Sequence, residues 1–213
     1  MHCRIPVSPR FILRPSFVPQ IRHFFCPRRF SDTMVSKNMP SASDSSEPLP
    51  ALSPTDFRTY NRMSEQMEAF HSHFRLTWNQ LWEACNSTGK RPGGLSARQM
   101  IMMGLQFCSQ LDFHHSIEEQ HIFPVLAKKM PEFRKELELL SQHRQIHAGL
   151  EKLEKYLGDC RSGEEDMRRE EVKRLMEGFG EVLWTHLDQE VQTLRAENMR
   201  KFWSLEEMRR LPM

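Results

Sequence analysis

LELLSQHRQIHAGLEKLEKYL, residues 137–157, is the stretch on which the fold turns. Leu137, Leu140, Ile146, Leu150 and Leu153 recur at helical spacing and make one apolar face. His143 and His147 fall on that same face, four residues apart. Their side chains therefore stand one above the other, about 6 Å apart along the axis. A polar ring on a buried face is costly unless something satisfies it, and metal coordination does. The segment reads as one wall of a packed helical bundle, beginning near Glu132 and closed by Gly158 and Ser162-Gly163.

Three further helices surround it in the sequence. Ser53-Pro54-Thr55-Asp56 offers a cap, a proline for the first helical position and an acid in the first turn. From there a helix runs to about Ser87 with Phe70, Phe74, Trp78, Leu81 and Trp82 at helical spacing, ended by Gly89, Pro92, Gly93 and Gly94. Ser96-Ala97-Arg98-Gln99 is a capping box opening a second helix that carries Met100, Met103, Leu105, Phe107 and Leu111 to about Phe123. Pro124 and Pro131 mark a break or kink. The last long helix extends from about Glu165 to Met199 through Val172, Leu175, Phe179, Val182, Leu183, Leu187 and Leu194. Ser204-Leu205-Glu206-Glu207 caps a short terminal turn. No strand pattern competes. The expectation is an all-α, up-down-up-down antiparallel four-helix bundle over residues 54–200, followed by a tail, 201–213, packed across one end.

Residues 1–53 differ in kind. No acid occurs before Asp32, while Arg4, Arg10, Arg14, Arg22, Arg28 and Arg29 are present. That is the composition of a mitochondrial presequence, although Pro6, Pro9, Pro15, Pro19 and Pro27 would interrupt its helix. Translation from Met34 is the competing reading. The Ser- and Pro-rich residues 35–53 read as a disordered linker, so residues 1–53 form a disordered extension. The expected location is cytoplasmic, or mitochondrial if residues 1–33 act as a presequence.

Composition narrows the function classes. A formal net charge of +2 over 213 residues argues against nucleic acid or an anionic membrane as partner. No apolar run approaches the roughly 20 residues of a membrane helix. The five cysteines are widely spaced with no C-x-x-C pair, which argues against a zinc-thiolate site and a disulfide framework.

Eight of the ten histidines lie between positions 71 and 186. His71 and His73 are on the first helix, His114 with Glu118 on the second, His143 with His147 on the third, and His186 with Glu190 on the fourth. One such pair alone is weak, since His115/Glu119 and His147/Glu151 also occur at this spacing. The weight lies in the order across four helices. Imidazole and carboxylate donors without thiolates suit iron, zinc, copper or nickel. His73 and His115 read as solvent-side or supporting residues, Glu119 as second to Glu118, and His121 as an ordinary surface histidine or one that orients a ligand.

The order H…HxxxE…HxxxH…HxxxE resembles the hemerythrin-like, or HHE cation-binding, family over residues 55–200, and 114–124 and 186–190 resemble its fungal members. The resemblance implies a non-haem di-iron centre, two iron ions bridged by an oxygen species and by carboxylates. Its ligands would be His71, His114, Glu118, His143, His147, His186 and Glu190, with Glu118 and Glu190 bridging. His71 is preferred over His73 because Phe74-Arg75 follows it at the family spacing. Oxygen-carrying members place the last acid five residues after the histidine, where this chain has Val191, so Glu190 aligns it with the broader group. The implied function is binding or sensing of oxygen, nitric oxide, peroxide or iron, rather than catalysis. Two rivals stand beside it. A ferritin-like oxidase would use Glu68/His71 and Glu118/His121 as E-x-x-H pairs, and a metal-free interaction bundle would use the histidines structurally.

Overall fold

Ser53 caps the first helix: its hydroxyl oxygen accepts the Asp56 N–H, and Pro54 occupies a position that needs no N–H. In the computed structural model, which describes residues 49–87, 94–134 and 138–212, this helix, α1, spans Pro54–Asn86. α2 is Ala97–Ile117, opened by Ser96 in a reciprocal capping box with Gln99. A single turn, α3 (Phe123–Leu126), precedes α4 (Glu138–Ser162), α5 (Arg169–Thr193), α6 (Ala196–Phe202) and α7 (Leu205–Met208). Every regular element among the described residues is helical. The all-α class holds.

The four long helices pack in a ring, α1 on α2 and α5, α4 on α2 and α5. Their apolar residues form two clusters rather than one. The first gathers Met63 and Met67 of α1, Phe123 and Leu126 of α3, Leu139 of α4, and Val191 and Leu194 at the end of α5. The second gathers Phe74, Trp78 and Leu81 of α1, Phe107 and Leu111 of α2, Ile146, Leu150 and Leu153 of α4, and Phe179, Leu183 and Leu187 of α5. Between the two stretches, each long helix carries buried polar groups: His71; His115 and Glu118; His143; His186 and Glu190. A polar layer thus divides two apolar halves.

The chain after α5 closes the first cluster. Met199, Trp203, Met208 and Leu211 are buried there. The Tyr60 hydroxyl donates to the Trp203 carbonyl at 3.0 Å, and Arg62 donates to the Met208 and Leu211 carbonyls at 2.9 and 3.1 Å. Ser204 and Glu207 form the expected capping box.

Several boundaries differ from the sequence reading. The described part of α4 begins at Glu138, and Pro131–Phe133, where that helix was expected to begin, form a separate short 3₁₀ turn whose Phe133 plugs into the first cluster. Gly158 does not stop α4, since one glycine inside a helix costs only about 1 kcal/mol. Gly163, with φ +86°, is the residue that ends it. The fourth helix does not run unbroken to Met199. It stops at Thr193 and restarts as α6, with the Ala196 N–H donated to the Asn61 side chain and Asn198 donating to the Thr193 carbonyl. Those side chains satisfy a break that no glycine or proline marks. Residues 1–48, Gly89, Pro92, Gly93 and Leu137 lie outside the described residues. No described helix is long and apolar enough to cross a membrane.

Gly149 lets α4 approach the Phe179 side chain of α5 closely. A Cβ there would overlap the ring and Cβ of Phe179, whereas a Cβ on Gly158 would meet nothing. Gly149→Ala is expected to destabilise the protein by about 1–3 kcal/mol through overpacking. Gly158→Ala should be neutral or stabilising by up to about 1 kcal/mol. Thermal unfolding of the two variants checks this; equal midpoints would contradict the packing described.

Candidate metal centre

Pro124 shapes the site from outside it. It has no N–H to give the Gln120 carbonyl, and its ring crowds that carbonyl. The second helix answers by widening: Glu118–Ile122 form a π turn, and the Phe123 N–H reaches back to the Glu118 carbonyl. This is the form taken by the break expected at Pro124. At the start of the turn, Glu118 follows His114 by four residues and His115 by three, both spacings that share a helix face. One carboxylate thereby lies within reach of both rings.

Two sets of donor atoms result, each within 4.8 Å of one another: His115, Glu118, His143 and His186 in one, His71, His114, Glu118 and Glu190 in the other. Glu118 belongs to both. One of its oxygens lies 2.9 Å from His114 Nε2 and the other 3.6 Å from His143 Nε2. Glu190 also touches both sets, its Oε2 lying 3.5 Å from the Nε2 atoms of His71 and of His186.

The outward ring nitrogens are held. His71 Nδ1 donates to the Leu187 carbonyl at 2.9 Å, His143 Nδ1 to Glu119 Oε1 at 2.8 Å, and His186 Nδ1 to Gln142 Oε1 at 3.3 Å. With protons fixed on Nδ1, the Nε2 atoms present lone pairs inward. His143 Nε2 and His186 Nε2 are 3.2 Å apart, and His71 Nε2 is 3.3 Å from His114 Nε2. The His143 and His186 lone pairs face each other and repel unless a cation sits among them. Both nitrogens of His115 and both oxygens of Glu118 and of Glu190 are buried without a hydrogen-bond donor or acceptor answering them. Such orphaned groups are expensive in an apolar interior. The donor set fits bound metal ions.

Burial sets the protonation states. It lowers His114 to about 4, His143 to about 3 and His186 to about 3, and pushes His115 well below the ordinary value. The neutral imidazoles that metals require are therefore already present. Burial, then the charges of Glu190 and Glu119, raise Glu118 well above the carboxylate range. For Glu190 burial acts upward but is outweighed by the neighbouring His71, His186 and His114 rings, leaving it lowered.

Six of the seven expected ligands, His71, His114, Glu118, His143, His186 and Glu190, come together. His147 does not join either set: its Nδ1 lies 3.0 Å from Asp112 and its side chain keeps 30% of its exposure. The reason is steric. The His115 ring stacks on His143 at 3.9 Å between centroids and stands edge-on to His147 at 5.3 Å, filling the space between α2 and α4. His115, read from the sequence as a supporting or solvent-side residue, is fully buried and a member of the first set. Its signal was the three-residue spacing to Glu118, hidden behind the four-residue pairs. Glu119 backs His143, and His73 and His121 are exposed. Glu68, needed by the oxidase pattern, instead pairs with Arg75 at the surface. Cys108 is no thiolate donor, because burial pushes its thiol up to about 12.

Buried histidines and carboxylates in two sets joined by one glutamate, inside a helical frame, define a cation-binding helical protein. The chain matches the hemerythrin HHE cation-binding domain over residues 62–196 and belongs to that family. It is also similar to the dimeric xanthone biosynthesis cluster protein R11 of Cryptosporiopsis sp. (strain 8999), with 28% identity over 100 residues, 44% of this chain. The match covers 37% of that relative's length. No solved structure matches.

The lowered histidines carry a stability consequence for the metal-free protein. A histidine whose folded pKa lies below its unfolded value takes up protons on unfolding, so stability falls as pH drops from about 6.5 towards 3–4. Lowered Glu190 acts in the same direction, and raised Glu118 acts in the opposite one above about 4.5. Four histidines outweigh one glutamate. Each adds up to about 1.4 kcal/mol per pH unit within the window. Urea midpoints of metal-free protein should fall steadily from pH 7 to pH 4; a flat profile would contradict a neutral, buried histidine layer.

Proposed function

We propose that this protein holds two iron ions in the layer between its apolar clusters and uses them to bind a small ligand such as oxygen, nitric oxide or peroxide. The observation carrying the reading is Glu118, whose carboxylate is common to two separate four-residue donor sets. A carboxylate answering two sets is what a close pair of ions needs. His71, His114 and Glu190 would hold one ion, His115, His143 and His186 the other, with Glu118 between them. Glu190, in reach of a histidine from each set, is the second bridging candidate. When bound, such a pair supplies reversible one-electron chemistry and an open position for an exogenous ligand.

The family supports a cation, and the donors narrow it. Five imidazoles with two carboxylates and no thiolate suit iron, zinc, copper or nickel, and iron is the choice among these that fits oxygen, nitric oxide or peroxide as ligand. The order of the helices between the clusters supports an up-down-up-down bundle as the frame: α1 and α4 pass from the first cluster to the second, α2 and α5 the other way. Binding rather than oxidation is favoured, because the E-x-x-H pattern of ferritin-like oxidases would need Glu68 and His121, both at the surface.

Protein purified without oxygen is expected to carry about two iron ions per chain and to develop a near-ultraviolet and visible absorption band on admission of air. Glu118→Gln should remove most of both ions. His115→Ala should reduce the content towards one, while His147→Ala should leave it near two. Elemental analysis reads all three. A folded wild-type protein without transition metal would overturn the proposal, and full loading of the Glu118 variant would overturn the shared-carboxylate arrangement.

A further inference from the structure

A groove of about 440 Å³ runs between α1 and α2, with His114 of the second donor set in its lining. Phe70 and Phe74 of α1 and Phe113 and Ile117 of α2 form its walls. Phe113 is 67% exposed and Phe70 49%, an aromatic pair left in water on adjoining helices. Exposed apolar surface gathered in one place marks a binding surface more often than isolated residues do. The floor is His114, whose ring centroid lies 5.5 Å from that of Phe70 and 5.1 Å from that of Phe74.

His114 is the member of the two donor sets that solvent reaches. Its side chain keeps 10% of its exposure, against 0–2% for His71, Glu118, His143, His186 and Glu190, while His115 is fully buried. The groove is thus the place where the outside meets the polar layer. At its rim His73 Nε2 lies 3.2 Å from Gln110 Oε1, a hydrogen-bonding pair open to a third partner. No lysine, arginine, aspartate or glutamate lines it. That lining suits a neutral occupant and gives nothing to a phosphate, a carboxylate or a lipid headgroup.

We propose that this groove binds a small neutral aromatic molecule, a phenol of two or three fused rings, with its rings against Phe70 and Phe113 and its hydroxyl at the His73–Gln110 rim. Size, wall chemistry and rim each point there. The volume falls in the range of small-molecule sites, roughly 300–1,000 Å³, which are apolar with a few placed polar groups. Phenylalanine rings reward a flat π system by offset or edge contact. The ligand's closeness to metal rests on the function proposed above, whereas its binding to the groove does not.

The probe is 1-naphthol, titrated by calorimetry into the intact metal-free protein and into the metal-loaded form. One molecule should bind per chain in both forms, and saturation should shift the visible spectrum of the loaded form. Phe113→Asp and Phe70→Ser should each weaken binding at least tenfold, and Leu76→Ser, an exposed position of α1 outside the groove, should leave it unchanged. Absence of binding to both forms overturns the proposal. So does binding that survives both groove substitutions, or sedimentation showing two copies joined through this face and separated by Phe113→Asp. Naphthol bound normally by a protein that takes up no metal would sink the proposed function while leaving the groove assignment standing.

Discussion

Lone pairs pointed at one another are the constraint around which the rest of this structure is arranged. His71, His143 and His186 each spend one nitrogen on an acceptor at the edge of the layer, so the other faces inward as a base. One pair of such inward nitrogens, those of His143 and His186, approaches to 3.2 Å. With both rings neutral, no proton arrangement relieves the His143–His186 contact without giving up an outer hydrogen bond. A cation relieves it while keeping both. The orphaned oxygens of Glu118 and Glu190 supply the negative charge that such cations need.

The two apolar clusters exist to hold that layer. Each long helix contributes an apolar run on either side of its polar residues, so the layer's position is set by packing above and below. The outer hydrogen bonds then fix ring orientation. Gln142 illustrates the depth of this support: its Oε1 accepts from His186 while its Nε2 donates to Gln189, which in turn donates to Glu138. Charge on the metal side is thus tied, through side chains of α4 and α5, to the surface. The cost of assembling so many polar groups in the interior is offset only when they coordinate.

Much of this was legible in the sequence because it depends on local periodicity. Apolar spacing marked four long helices, and Ser53, Ser96 and Ser204 marked three starts that the structure reproduces with the expected hydrogen bonds. His71, His114, His143, His186 and the glutamates at 118 and 190 stood out because they recur in order, at helical spacing, on four successive helices. What escaped was tertiary. Whether His115 or His147 turns inward depends on which ring fills the gap between α2 and α4, and spacing along one helix cannot say. The π turn arises from Pro124 acting on its own preceding turn, which a search for kinks registers only as a break. The stop at Thr193 is invisible for a similar reason, since its satisfying partner, Asn61, lies on another helix.

The central claim is a pair of ions sharing Glu118, and anomalous diffraction from crystals of the iron-loaded protein at the iron edge tests it most directly. The account predicts two peaks in the polar layer, each about 2.0–2.2 Å from an oxygen of Glu118, with His115 on one ion and His71 on the other. A single peak, or two peaks with His147 coordinating and His115 turned away, would contradict it.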